Sequence, residues 1–269
     1  MINQELDWLL KEKYQGVENE AFLSDCTRLA AGVPLGYLIG QVPFLHCTIY
    51  LDSHPLIPRP ETEYWVEKVI SAIKSPSTRQ DLELDSEVRG EISNLARAPK
   101  LLDLCAGSGA IGVAVANAVP QAHVTFSELD PAHLPTIEKN LTQNTTIYDS
   151  EKYKVIQSDL FAALPNDELF DYILTNPPYI DAEANTVDKN VVEQEPHLAL
   201  FGGKAGLELI SKIITQAPQY LIPAGQLWIE HEPAQIEAIT TLAHTNDFTI
   251  ITHLDQYQVP RFSVLTMAQ

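Results

Sequence analysis

Four consecutive residues, Asn176-Pro177-Pro178-Tyr179, combine the groups needed to hold a planar NH2. Proline has no N–H, so Pro177 and Pro178 present only carbonyl oxygens. Asn176 adds an amide side chain and Tyr179 a flat ring. Acceptors beside an aromatic face suit a carboxamide or an exocyclic base amine. The preceding run, Tyr172-Ile173-Leu174-Thr175, is short, apolar and β-prone, and predicts a buried strand ending at Asn176. The two prolines then forbid both a continued central strand and an immediate helix interior. The chain is expected to leave the sheet extended, at a strand's C-terminal end, where open α/β sheets build their sites. Asn-Pro is equally a common turn starter, so the rest of the chain must decide between a site and a stiff turn.

Three other predicted strand ends carry distinctive groups. Leu101 to Leu104 reads as a strand, followed by the small-residue loop Cys105-Ala106-Gly107-Ser108-Gly109 and a helix from Ala110 to Ala118. Gly107 and Gly109 let backbone approach a ligand at that helix N-terminus. His123 to Ser127 is a second strand, ending at Glu128. It lies about 20 residues beyond the glycine loop, the spacing at which an acidic group grips a ribose diol. Lys154 to Gln157 is a third, with Asp159 just past its end, able to accept a hydrogen bond from an adenine amino group. Alone, Glu128 reads as a solvated strand-end carboxylate. In successive order, the glycine loop, Glu128, Asp159 and Asn176 point to a bound nucleoside. The glycines are spaced differently from the three-glycine dinucleotide pattern, and no Walker-type lysine follows.

The elements that must position these groups alternate. Residues 206–218 predict a helix, Gln226 to Glu230 a fifth strand, Pro233 to Ala243 a helix, and strands follow near 247–253 and 261–266. Pro131 is expected to open a helix reaching about Leu141. This alternation implies a doubly wound, largely parallel α/β sheet. Upstream, residues 3–13 and 20–31 predict two short amphipathic helices, with Leu6, Leu9 and Leu10 on one face of the first. A turn-rich connector, Pro34 to Gly40, leads to a strand or hairpin arm over residues 42–51. Arg59 lies between Pro58 and Pro60, and Thr62 is placed to cap a helix of residues 63–74. Residues 76–98 are polar and acidic, a surface excursion or linker.

Composition narrows the class. With 269 residues, 45% of them hydrophobic, the chain can bury one α/β core and a small extra module. A net charge of −19 opposes a phosphate-tracking surface and suits a basic partner. Cys26, Cys47 and Cys105 form neither a metal spacing nor a disulfide framework, which predicts a reducing cytoplasm. Neither a secretory leader nor an apolar run of membrane-spanning length is visible.

Asp103-Leu104-Cys105-Ala106-Gly107-Ser108-Gly109-Ala110-Ile111 resembles the first motif of class I S-adenosylmethionine methyltransferases. Asn176-Pro177-Pro178-Tyr179 resembles the substrate motif of those that methylate planar nitrogens. The stretches Pro34 to Gly40 and Leu56 to Glu63 resemble the connector and the Pro-Arg-Pro-Glu-Thr signature of release-factor glutamine N5-methyltransferases, the HemK/PrmC type. Arg261 after Asp255 fits that family's C-terminal strands. The resemblance covers nearly the whole chain. Cys105 and Ala106 stand where Gly-Thr is common, and Leu160 where an aromatic is common beside Asp159. The N-terminal helical segment is shorter than the family usually shows, and residues 76–98 read as an insertion.

The resemblance implies a seven-stranded, mostly parallel Rossmann-like methyltransferase sheet. It implies S-adenosyl-L-methionine as cofactor, held by Cys105, Ala106, Gly107, Ser108, Gly109, Glu128, Asp159, Leu160 and Asn176. Asn176, Pro177 and Tyr179 would be catalytic, with Pro178 joining them against the substrate, and no metal is expected. The substrate would be the glutamine of the Gly-Gly-Gln loop in a class I peptide-chain release factor. The protein would then be a cytoplasmic monomer serving translation termination, without direct nucleic-acid binding. Residues 1–34 would form a docking module, 35–75 a connector with a β-hairpin and helix, 76–98 the acidic linker and 99–269 the methyltransferase domain. An adenine-N6 DNA or RNA methyltransferase would apply the same acceptor logic to a flipped base; the charge and the lack of a basic target-recognition domain oppose it. A catalytically silent adenosyl-binding scaffold is a third reading, against which Asn176 and Tyr179 count.

Overall fold

The computed structural model describes residues 2–74, 97–146, 148–181, 183 and 189–268. The acidic stretch expected at 76–98 lies outside the described residues, apart from Arg97 and Ala98.

Two short helices, α1 (Ile2–Glu12) and α2 (Glu20–Ala30), and a five-residue helix, α3 (Leu35–Ile39), close around Leu9, Phe22 and Leu38. So small a core buries little apolar surface, and a polar hub supplements it. Asp25, only 4% exposed, accepts Lys13 at 2.6 Å, Tyr14 at 2.7 Å and Arg28 at 2.8 Å. A hairpin follows, β1 (Gln41–Phe44) and β2 (Cys47–Tyr50), antiparallel around the turn at Leu45. Helix α4 (Pro60–Lys74) then packs Trp65, Val66 and Val69 into the main core.

The main sheet has seven strands among the described residues. They are β3 (Lys100–Leu104), β4 (His123–Glu128), β5 (Tyr153–Gln157), β6 (Phe170–Thr175), β7 (Leu221–Glu230), β8 (Phe248–Leu254) and β9 (Pro260–Met267). Their order is β5-β4-β3-β6-β7-β9-β8, parallel through β7 and antiparallel at β9 and β8. This is the expected doubly wound sheet. Alternate residues of each strand enter opposite cores, as a period of two requires. Leu101, Val124, Phe126 and Leu174 meet Trp65 and the helix Ala110–Ala118 (α5) on one face. Leu102, Leu104, Ile173 and Leu227 meet Ile210, Ile213 and Ile239 on the other, from helices α9 (Glu208–Gln216) and α10 (Ile236–Thr245). Between α5 and α9 in the chain lie α6 (Leu134–Asn144) and the short α7 (Lys189–Gln194) and α8 (His197–Leu200).

The hairpin is stapled to α6 by two asparagines one turn apart. Asn140, fully buried, accepts Tyr50 N–H at 2.8 Å and donates to the carbonyls of Tyr50 and Ser108. Asn144 brackets Thr48 in the same way. Side-chain amides thus satisfy part of a short strand's open edge.

Two local expectations are corrected. Thr62 does not cap α4, because the helix begins at Pro60, consistent with proline's preference for a first turn. Thr62 lies inside it, buried, and its hydroxyl donates to Glu230. Pro131 does not open α6. Residues 131–133 form a turn, and the helix starts at Leu134 with Pro135 in its first turn. Among the described residues, no helix is long and apolar enough to cross a membrane.

Candidate active site

In the sheet order, β3 and β6 are neighbours whose following helices cover opposite faces. Their C-terminal ends therefore flank a crevice at the topological switch point. A cavity opens there. Cys105, Gly107, Glu128, Asp159, Leu160 and Asn176, all expected at a cofactor site, line it. Ala106, Ser108 and Gly109 stand behind this wall. Gly109 caps α5 with φ +76°, and the Ser108 carbonyl is taken by Asn140. Ala106 packs on the core, with its N–H on the Ser127 carbonyl at 3.1 Å.

The loop after β3 turns sharply through Cys105 (φ +61°) and Gly107 (φ +55°). A left-handed cysteine is unusual and is a strained choice where glycine costs nothing. Burial, with the nearby Glu128 charge next, pushes its thiol up to about 12, so it stays protonated. Glu128 lies at the end of β4, 8% exposed. One carboxylate oxygen accepts the Gly107 N–H at 2.7 Å and the other the Asp130 N–H at 2.8 Å. Each oxygen retains a lone pair, so two further donors, as in a diol, can be received. At the end of β5 the chain bends through Leu160 (φ +50°), whose carbonyl takes the hydroxyls of Ser127 at 2.6 Å and Ser158 at 2.8 Å. That bend aims a buried leucine at the cavity beside Asp159.

A second cavity adjoins the first. Arg59, Asn176, Pro177, Tyr179, Val191 and Leu200 line it, and Asn176 borders both spaces. Beyond Asn176 the backbone is held by unusually close neighbours. A Cβ on Gly206 (φ +66°) would lie 1.7 Å from the Tyr179 carbonyl oxygen, and one on Gly202 2.3 Å from that of Pro178. Gln235 ties Tyr179 to this segment, donating to its carbonyl at 2.8 Å and to that of Ala205 at 3.0 Å. The Asn176 side-chain NH2 donates to the Thr62 hydroxyl at 3.2 Å, and the Tyr179 hydroxyl donates to Glu230 at 3.1 Å. Arg59 pairs with the buried Glu195, joining the Pro-Arg-Pro loop to the Glu195-Pro196 segment at the cavity's rim.

The family description Methyltransferase small domain matches residues 83–204. The chain is 35% identical over 227 residues to the release factor glutamine methyltransferase of Rhodopirellula baltica, covering 84% of this chain and 70% of that protein. It is 31% identical over 265 residues to the enzyme of the same name from Streptococcus pneumoniae, covering 97% and 85%. The chain belongs to the release factor glutamine methyltransferase family. Among solved structures, the Thermus thermophilus 16S rRNA N2 G1207 methyltransferase RsmC, in complex with AdoMet and guanosine, matches with a TM-score of 0.54 at 18% identity, covering 85% of this chain and 49% of that one. The human METTL16 catalytic domain in complex with an RNA hairpin also matches at 0.54, with 14% identity and coverage of 81% and 74%. Both share the methyltransferase fold.

In this methyltransferase the network around Glu230 was not legible as such. Glu230 ends β7, 1% exposed, and accepts Thr62 at 2.7 Å, Trp65 at 2.8 Å and Tyr179. Burial raises its carboxyl, opposed by these three donors. The signal that found Glu128, an acidic residue closing an apolar run, was equally present at Gln226-Leu227-Trp228-Ile229-Glu230. His133 and Leu129 also line the first cavity without any sequence signal.

Asp103 differs from Glu230. It is 1% exposed and accepts the Gly112 N–H at 2.8 Å, while its other oxygen has no partner among the described residues. Burial, with the Glu128 charge adding, pushes it up to about 8 against that one hydrogen bond.

Glu128→Ala should weaken S-adenosylmethionine binding by roughly 2–3 kcal/mol, the loss of two hydrogen bonds to a charged acceptor. Calorimetry showing unchanged affinity would remove Glu128 from the cofactor site. The folded value of Asp103 lies above its unfolded one, so its contribution to stability is full in acid and declines as pH rises toward about 8. Thermal melts should therefore show wild type losing stability relative to Asp103→Asn between roughly pH 5 and pH 8. A constant difference would mean that Asp103 is ionised throughout.

Proposed function

We propose that this methyltransferase transfers the methyl group of S-adenosyl-L-methionine to the side-chain nitrogen (N5) of the glutamine in the Gly-Gly-Gln loop of a class I peptide-chain release factor. The observation that carries this reading is the position of Asn176. It borders both cavities and turns its NH2 away to Thr62, leaving its carbonyl oxygen as an acceptor between them. The names of the relatives support the substrate.

The first cavity fits the adenosyl group. Glu128 would receive the ribose hydroxyls, Asp159 the adenine amino group and Leu160 an adenine face, with the backbone around Gly107 close by. When bound, S-adenosylmethionine supplies an electrophilic sulfonium methyl. An amide nitrogen is a weak nucleophile because its lone pair is delocalised into the carbonyl. In this reading, the Asn176 Oδ1 and the Pro177 carbonyl accept the two N–H bonds of the glutamine. They orient the nitrogen toward the methyl and stabilise the positive charge that develops on it. Among the described residues nothing donates to the Pro177 carbonyl. Tyr179 packs against the carboxamide plane, and burial together with Glu230 raises its hydroxyl well above the ordinary value, so it stays neutral. No strong base is required: as the N–C bond forms, the methyl's bond to sulfur breaks and the amide proton becomes acidic enough to leave to water.

Docking falls to the N-terminal helices in this reading. Trp8 (49% exposed) and Leu23 (60%) present apolar surface that the small core does not use.

Asn176→Ala should raise the barrier by about 2–4 kcal/mol, the scale of one preorganised polar contact. The loss should fall on kcat, because charge on nitrogen builds only in the transition state. Single-turnover methylation of a release factor, with cofactor affinity measured separately, decides it. A near-normal kcat would make Asn-Pro-Pro-Tyr a structural turn. Trp8→Ala combined with Leu23→Ala should raise KM for the release factor by about tenfold, as expected for exposed anchors at an interface, with kcat and cofactor affinity unchanged. An unchanged KM would place docking elsewhere on the protein.

A further inference from the structure

Thr62, the threonine of Pro58-Arg59-Pro60-Glu61-Thr62, is buried between two polar groups that are distant in sequence. Its Oγ1 is 3.2 Å from Asn176 Nδ2 and 2.7 Å from Glu230 Oε2. Trp65, three residues further along α4, donates its indole N–H to the same carboxylate oxygen. Tyr179 reaches the other.

Counting protons decides how these groups are oriented. An indole only donates, and a carboxylate only accepts. A threonine hydroxyl carries one hydrogen. Once that hydrogen is committed to Glu230, Thr62 has only lone pairs to offer Asn176. Asn176 must then face Thr62 with its NH2, and its carbonyl oxygen is what remains toward the cavities. Packing alone does not make this choice, since the two ends of a side-chain amide are nearly the same size. We propose that Glu230, acting through Thr62, is a positioning residue that fixes the amide orientation of Asn176, so that an acceptor and not a donor meets the substrate NH2. The inference rests on the proposed function for the identity of that substrate. Without the carboxylate, the Thr62 hydrogen is free to turn toward the Asn176 oxygen. The amide then rotates by half a turn and sets NH2 against NH2. Glu230 holds the Tyr179 hydroxyl as well, so one carboxylate anchors both ends of Asn-Pro-Pro-Tyr. It touches neither substrate nor cofactor in this arrangement and takes no part in proton transfer.

The test uses the full-length enzyme. Thr62→Val removes the hydroxyl at nearly constant volume, and Thr62→Ser restores it. Thr62→Val should lower kcat by roughly 10- to 100-fold, the scale of a misplaced contact at a reacting group. KM for the release factor and affinity for S-adenosylmethionine should stay within about twofold, because Thr62 contacts neither ligand. Thr62→Ser should recover most of the loss, and Glu230→Leu, which leaves the Thr62 hydroxyl no acceptor there, should match Thr62→Val. A second arm needs no catalysis. Solvent exchange of the Asn176 side-chain NH2, followed by NMR, should be slow in wild type and fast in Thr62→Val. If Glu230→Leu does not fold, the valine and serine pair still decides. A Thr62→Val enzyme with wild-type kcat overturns the proposal, as does equal NH2 exchange in the two proteins. Should wild type methylate no release factor, the functional reading fails, and the exchange arm still judges the orientation by itself.

Discussion

Parallel pairing of Leu101–Leu104 with Tyr172–Thr175 is the constraint on which the rest of the molecule depends. These central strands are buried on both faces, which is the usual condition of parallel sheets. The chain departs from them toward opposite faces, since Ala110–Ala118 joins one core and Glu208–Gln216 the other. The crevice between their ends is therefore a consequence of connectivity. Cys105, Gly107, Glu128, Asp159, Leu160 and Asn176, which face it, sit at the C-terminal end of a strand or one to three residues beyond.

Burying polar groups at such a place is costly unless their bonds are made. Glu230 meets three donors from two elements, and Asn140 uses both ends of its amide to join the hairpin to the glycine loop. Asp103 makes one bond and remains largely protonated near neutrality, since burial outweighs the single Gly112 N–H. Burial raises both carboxyls, Asp103 against a single donor and Glu230 against three.

The two halves of the site are built differently. Around the first cavity, neighbouring strands bring their ends together directly. Around the second, the contacts join segments far apart in the chain. Thr62 and Glu230 are 168 residues apart, and Arg59 and Glu195 are 136 apart. The glycines at 202 and 206 matter for the same reason, because only a residue without a side chain lets that backbone lie against the carbonyls of Pro178 and Tyr179.

The doubly wound sheet, the positions of its strands and the line of Cys105, Gly107, Glu128, Asp159 and Asn176 were legible in the sequence. Hydrophobic period and strand length are local properties, and a parallel sheet places the residues after its strands on one edge. The starts of two helices were misread, at Thr62 and Pro131, because capping residues and proline also serve inside a first turn or ahead of it. Family resemblance had placed Leu160 at the site, but tertiary structure alone showed the bend that aims it there, with two serine hydroxyls holding its carbonyl. Tertiary structure alone also decided that Arg59 pairs with Glu195, and that Thr62 stands between Asn176 and Glu230. Hydrogen-bond partners carry no periodicity that a chain can display. They are chosen when packing brings remote segments within about 3 Å and leaves each buried donor one acceptor to reach.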